Sequence, residues 1–210
     1  MNSGASLDEI GLKYATDKAS NFHDFLNLYE RVLATRRLEP VNIIEIGVYD
    51  GASVKMWREY FPNGRVVGVD INPAAATFAD DGIQIEISDQ SNMECLLSIC
   101  RKYGPFDLII DDGSHIWDHQ ILTLQQLFPW LNLGGIYILE DIDTSYGAYE
   151  ADYRGLSDIS AAQYLKNICD YMVGDRVLNL KGSKDPFIRA YASRIEYITF
   201  ARRTSIIKRR

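Results

Sequence analysis

Phe106-Asp107-Leu108-Ile109-Ile110-Asp111-Asp112-Gly113-Ser114-His115 runs from a β-branched apolar core straight into two acids, a glycine, a serine and a histidine. Gly135-Ile136-Tyr137-Ile138-Leu139-Glu140-Asp141 repeats the plan: an apolar run, then two acids. Short, nearly continuous apolar runs of this kind, bounded by Gly and Pro, read as buried strands of a parallel sheet. Both strands deliver carboxylates at their C-terminal ends, the edge at which open α/β sheets hold their ligands. Upstream the same alternation continues. Strands are expected at residues 41–47, 65–70 and 83–87, with helices over 52–61, through Leu96 to Cys100, and through Ile121 to Phe128. Pro62 and Pro73 punctuate them. Leu7 to Leu38 reads as an amphipathic helical run stopped by Pro40, and a further helix is expected near 160–172. The pair 195–200 and 205–207 reads as an antiparallel hairpin. The expected fold is α/β, a doubly wound, Rossmann-like and mostly parallel sheet with an N-terminal helical cap over residues 1–40 and a C-terminal hairpin. Residues 41–210 form the main body of what is expected to be one domain overall.

The chain has 210 residues, a net charge of −7 and a sequence pI near 5.0. It therefore has no global field to draw in nucleic acid or anionic lipid. Its one basic cluster, Arg202, Arg203, Lys208, Arg209 and Arg210, reads as a solvated chain end. The N-terminal residues lack the basic and apolar regions of a signal peptide, and no apolar run reaches membrane-spanning length. Cys95, Cys100 and Cys169 are odd in number and fit no metal knuckle, as expected of buried thiols in a reducing cytoplasm.

Glu45-Ile46-Gly47-Val48-Tyr49-Asp50-Gly51 lies where the first strand turns into the first helix of the alternation. Gly47 suits a tight turn and Gly51 a close helix packing. A dinucleotide site wants a third glycine so that backbone can approach the pyrophosphate, and that position is Tyr49. A cofactor without phosphates has no such need, which favours S-adenosylmethionine over a nicotinamide dinucleotide. Asp70, ending the second strand, is placed for ribose hydroxyls by charge-assisted hydrogen bonds. Asp89, after the third, is placed for the adenine amine. Either acid also makes an ordinary helix cap.

Asp112, Glu140 and Asp141 are hard oxygen donors from neighbouring strands, a set suited to Mg²⁺ or Mn²⁺ rather than zinc. His115 and His119 form H-x-x-x-H, but Ile116 stands where a zinc protease helix needs glutamate. Asp111, Asp112 or Ser114 would equally serve as an N-cap for a helix starting near Ser114. His115 is then expected at a helix N-terminus, kept neutral by the dipole and able to accept a proton.

Together, Thr16-Asp17-Lys18, the glycine turn, Asp111-Asp112-Gly113-Ser114-His115 and Glu140-Asp141-Ile142-Asp143-Thr144-Ser145-Tyr146 resemble the metal-dependent sugar O-methyltransferases of macrolide and other antibiotic tailoring, the mycinamicin type among them. The resemblance covers nearly the whole chain and implies a class I S-adenosylmethionine-dependent methyltransferase fold. It also implies that Mg²⁺ (or Mn²⁺) is held by Asp112, Glu140 and Asp141, with His115 as general base. The candidate cofactor residues are Thr16, Glu45, Gly47, Tyr49, Ser53, Asp70, Asp89 and Asp111, with residues 16–23 as a lid. Members of that family often carry an extra N-terminal assembly domain, whereas this chain begins almost directly with the methyltransferase core; homo-oligomerisation is left open.

The expected reaction is methyl transfer to a hydroxyl of a sugar or glycosylated natural product. Alternatives are methylation of a catechol or phenol, a non-catalytic nucleotide-binding or assembly domain, and a hydroxylase on the same scaffold. Trp117, Tyr146 and Tyr149 are candidates for an aromatic wall against a sugar face, or for core. Loops at 91–93, 146–157 and 180–187 are expected to shape the acceptor pocket.

Overall fold

A computed structural model of the chain describes residues 4–174 and 184–210. Of the expected acceptor loop at 180–187, residues 180–183 lie outside the described residues. The chain divides into two compact units, Met1–Asp89 and Gln90–Arg210.

The first unit begins with α1 (Leu7–Tyr14) and α2 (Leu26–Leu33). The single helical run expected over Leu7 to Leu38 is therefore interrupted. Ala15 takes a left-handed conformation and closes α1, and Asp24 is left-handed just before α2. Between them the chain knots on itself: Thr16 N–H donates to Gly11 O, Phe25 N–H to Lys18 O and His23 N–H to Asp17 O. Thr16 and Asp17 cap neither helix. Ser6 caps α1 in a reciprocal box with Glu9, and α2 follows Phe25 as its N-cap residue, without a side-chain cap. Three parallel strands follow, β1 (Asn42–Ile46), β2 (Arg65–Asp70) and β3 (Ile83–Ile87), in the order β3-β2-β1. Helix α3 (Ala52–Tyr60) links β1 to β2, and α1 packs on it, with Lys13 and Tyr14 reaching Glu59. β1 and β2 are buried almost throughout, as both-face burial requires.

The second unit carries α4 (Met93–Tyr103), β4 (Phe106–Asp111), α5 (Trp117–Leu127), β5 (Leu131–Leu139), α6 (Glu150–Tyr153), α7 (Ala161–Gly174), α8 (Pro186–Tyr191), β6 (Ile195–Phe200) and β7 (Ser205–Arg209). β4 and β5 are parallel; β7 is antiparallel to both β5 and β6, giving the order β4-β5-β7-β6. The expected hairpin is present, and it docks on the buried strand whose end carries Glu140 and Asp141. Among the described residues no helix is long and apolar enough to cross a membrane.

Candidate active site

In the first unit, β1 ends at Ile46 and the glycine turn carries the chain into α3. Gly47 and Gly51 both have positive φ, and a Cβ on Gly51 would fall 2.5 Å from the ring of Phe78. No side chain fits there, which explains the residue by close packing as well as by conformation. Tyr49 is left-handed too, with φ 51°, and its side chain is 88% exposed, an unusual pose for a bulky aromatic. Asp70 supports this turn. Its Oδ2 accepts the N–H groups of Val48 at 2.8 Å and Tyr49 at 2.9 Å, and its Oδ1 accepts Asn72 N–H at 2.8 Å.

Beneath the turn, Glu45 is fully buried. Ser53 Oγ donates to its Oε2 at 2.8 Å, Trp57 Nε1 to its Oε1 at 3.3 Å, and Lys18 Nζ stands 3.9 Å from Oε1. Lys18 is itself buried, beside buried Thr16. The segment expected to act as a lid is thus anchored at its centre. Asp89 lies exposed just beyond β3.

In the second unit, Asp111 is fully buried at the end of β4. Burial pushes its carboxyl up to about 7, against the lowering effect of hydrogen bonds from Gln90, Tyr137 and the Gly113 backbone. Gln90 was not singled out in the sequence, yet it aligns the whole loop. Its Nε2 donates to Asp111 Oδ1 at 2.6 Å and Thr123 Oγ1 at 2.9 Å, while its Oε1 accepts Ser114 N–H at 2.9 Å.

The loop Asp112–Ile116 does not open a helix. α5 begins at Trp117, its N-cap is Ile116, and no side chain caps it. Asp112 is thus freed from the capping reading. His115, expected in the first turn of a helix, instead precedes it in a left-handed conformation with φ 58°.

Asp112, His115 and Asp141 present ligand atoms all within 4.8 Å of one another. Two donors bound at ~2.1 Å to one Mg²⁺ lie at most about 4.2 Å apart, so the set needs little closure to hold such an ion. His115 Nε2 stands 3.5 Å from Asp141 Oδ2, and its Nδ1 is buried without a hydrogen bond. Two converging carboxylates suit a divalent cation, and the imidazole beside them keeps a ring nitrogen without a hydrogen bond. Glu140 is not one of the three. It is buried, its N–H on Asp111 O and its carbonyl accepting Gln120 Nε2 at 2.9 Å.

The two loops are tied together. Thr144 Oγ1 donates to Asp141 O at 2.8 Å with His115 O at 3.3 Å, and Trp117 Nε1 donates to Thr144 O at 3.0 Å. Trp117, a candidate for the aromatic wall, is a buried strut. Tyr146 and Tyr149 are half-exposed, and Tyr153, unnoticed in the sequence, completes an aromatic edge. Its ring centroid is 6.4 Å from that of His115 and 6.2 Å from that of Tyr149.

The hairpin supplies a further missed residue. Arg203, read as part of a solvated terminus, sits in the β6–β7 turn, where Ile142 N–H donates to its carbonyl at 2.9 Å. Its Nη2 lies 2.9 Å from Asp141 Oδ1 and its Nε 3.0 Å from Asp143 Oδ2. His115, Asp141 and Arg203 all have positive φ, at 58°, 49° and 63°. Such conformations cost ~1–3 kcal/mol each and concentrate where function over-determines the backbone.

No family model matches the chain. A tetracenomycin rhamnosyl 3'-O-methyltransferase of Streptomyces olivaceus is 36% identical over 176 residues, 78% of this chain and 44% of that protein. The mycinamicin VI 2''-O-methyltransferase of Micromonospora griseorubida is 38% identical over 149 residues, 67% of this chain and 37% of its own. Among solved structures, the MycE methyltransferase from the mycinamycin biosynthetic pathway in complex with Mg, SAH and mycinamycin VI aligns over 99% of this chain and 56% of that one, at 28% identity and a TM-score of 0.84. The chain spans less than half the length of the curated relatives it matches. By sequence and by fold, it is a relative of the antibiotic sugar O-methyltransferases and carries the Rossmann-like methyltransferase fold.

Proposed function

We propose that the chain supplies the catalytic domain of a Mg²⁺-dependent O-methyltransferase that moves the methyl group of S-adenosylmethionine to a hydroxyl of a sugar on a glycosylated small molecule. The observation that carries this reading is the convergence of Asp112, His115 and Asp141, two of them held in left-handed backbone, at the end of buried strands. The sugar O-methyltransferases among its relatives supply the reaction class and acceptor type.

In this reading Asp112, Asp141 and Glu140 would hold the ion, and the turn from Gly47 to Gly51 with Asp70, Asp89 and Glu45 would shape the cofactor pocket. A bound Mg²⁺ would lower the pKa of a chelating hydroxyl, and S-adenosylmethionine would supply an electrophilic methyl whose sulfur leaves as a neutral thioether. The remaining work falls to the chain. His115 takes the acceptor's proton at a ring nitrogen while the acceptor oxygen bonds to the methyl carbon and the carbon–sulfur bond breaks. Asp141, beside Nε2, stabilises the imidazolium that results. Tyr153, whose ring lies 6.4 Å from that of His115, and Tyr149, which meets Tyr153 edge-on, would pack against the apolar side of a pyranose and align one hydroxyl with the base. All three cysteines are free, which suits a reducing cytoplasm.

The test is a product screen by mass spectrometry. The protein, S-adenosylmethionine and Mg²⁺ are incubated with alkyl rhamnosides, macrolide glycosides, free sugars and catechols. A product heavier by one methylene on a glycoside supports the proposal; methylation of catechols alone overturns the acceptor class, and no product from any acceptor overturns the reaction.

A further inference from the structure

The guanidinium of Arg203 spans two acids of the same loop. Nη2 takes the Oδ1 of Asp141 at 2.9 Å, and Nε takes Asp143 at 3.0 Å. Asp141's second oxygen, Oδ2, then points at His115. The backbone fixes this arrangement from both sides. Ile142 N–H donates to Arg203 O, and Thr204 Oγ1 donates to Leu139 O at 3.2 Å, so the hairpin turn is stitched to the residues on either side of Asp141. Arg203 is left-handed, as is the Asp141 it grips. A solvated arginine has no reason to hold a strained backbone in a docked turn.

We infer that Arg203 is a positioning residue for the candidate metal centre. It holds the outer oxygen of Asp141 and so presents the inner one to the ion and to His115. The inference rests on the metal reading above and adds a residue that does not itself touch the ion. Two effects of the guanidinium oppose each other. Its charge repels a cation, and its fork fixes a ligand. Asp143, 3.0 Å from Nε, offsets the charge, and the planar guanidinium sets Nη2 2.9 Å from Asp141 Oδ1 while Nε is held on Asp143. Geometry therefore outweighs repulsion. A hydrogen-bond partner of a metal-ligating carboxylate is typically worth 10–100-fold in metal affinity.

The experiment is a titration of the purified chain with Mn²⁺, followed by electron paramagnetic resonance of the free ion, on wild type, Arg203→Met and Arg203→Lys, with circular dichroism as a check on folding. The expected result is a dissociation constant raised ~10–100-fold by Arg203→Met. A smaller rise is expected for Arg203→Lys, which keeps the charge and loses the fork. An unchanged or lower constant in either variant shows that the charge effect governs and overturns the inference. If Arg203→Met does not fold, Arg203→Lys decides alone by the same criterion. Absence of Mn²⁺ binding by wild type overturns the metal reading itself, which distinguishes the two failures.

Discussion

His115 Nε2 lies 3.5 Å from Asp141 Oδ2, and both residues hold left-handed backbone. One comes from the loop after β4 and the other from the loop after β5, and Thr144 fastens the two loops. In the proposed reaction His115 would be the base and Asp141 its orienting carboxylate, placed where a divalent ion would share the same oxygen. Replacing His115 with Ala should lower turnover ~10²–10⁴-fold, the usual worth of a positioned base. The check is steady-state kinetics alongside calorimetric titration with S-adenosylmethionine, whose affinity should not move. Undiminished turnover assigns the proton to another group.

Asp112 and Asp141 should be separable from Glu140. Asp112→Asn and Asp141→Asn each remove a charged donor from the set of three and should weaken Mg²⁺ activation at least tenfold, read as the Mg²⁺ concentration giving half-maximal rate. Glu140 is buried, so Glu140→Gln should show a stability loss in thermal melts as well.

Lys18 and Glu45 form a buried ion pair beneath the glycine turn. Breaking it from one side leaves a buried charge, so Lys18→Met should cost ~3–5 kcal/mol in urea unfolding. Glu45→Gln keeps an acceptor for Ser53 and Trp57 and should cost less. Equal, small losses would mean the pair contributes nothing to anchoring the segment at Thr16.

Asp111 gives a pH signature. Its carboxyl is pushed up to about 7 by burial, above its value of 3.8 when exposed. Between those values the folded chain binds the extra proton, so this group's contribution to stability is present at low pH and is lost as pH rises toward 7. Each pKa unit corresponds to about 1.4 kcal/mol, so the contribution amounts to a few kcal/mol. Urea unfolding of wild type and Asp111→Asn at pH 5 and pH 8 should show a smaller decline in the variant.

The thiols should differ sharply. Cys95 is exposed, whereas burial pushes the Cys100 thiol up to about 12. Iodoacetamide at pH 8 should label Cys95 and spare Cys100 in the folded chain, by peptide mapping.

Most of the sheet was legible because its strands are dense β-branched runs that end in acids or meet glycine. β2 and β3 fall where the pattern places them, and the hairpin differs only in the length of β7. The helical cap was not legible, because its interruption depends on left-handed residues at Ala15 and Asp24 that carry no glycine. The position of His115 was misplaced for a related reason. Ile116 gives no capping signal, so an acidic, serine-containing loop looked like a helix start. Arg203 and Gln90 were invisible because their partners are remote in sequence. Arg203 lies 62 positions beyond Asp141, in what composition alone makes a basic tail. Its one local clue was its position between two strand patterns, inside a turn. Trp117, by contrast, shows how an aromatic next to a site is drawn into structure when its N–H finds a carbonyl.

The most direct test of a divalent ion serving base-assisted methyl transfer is the rate on a glycoside acceptor after EDTA treatment, followed by Mg²⁺ add-back to wild type and Asp141→Asn. The expected result is loss of product formation on chelation, full recovery with Mg²⁺ in wild type, and little recovery in Asp141→Asn at the same Mg²⁺ concentration. A wild-type rate indifferent to EDTA, or a variant that recovers as wild type does, contradicts the account.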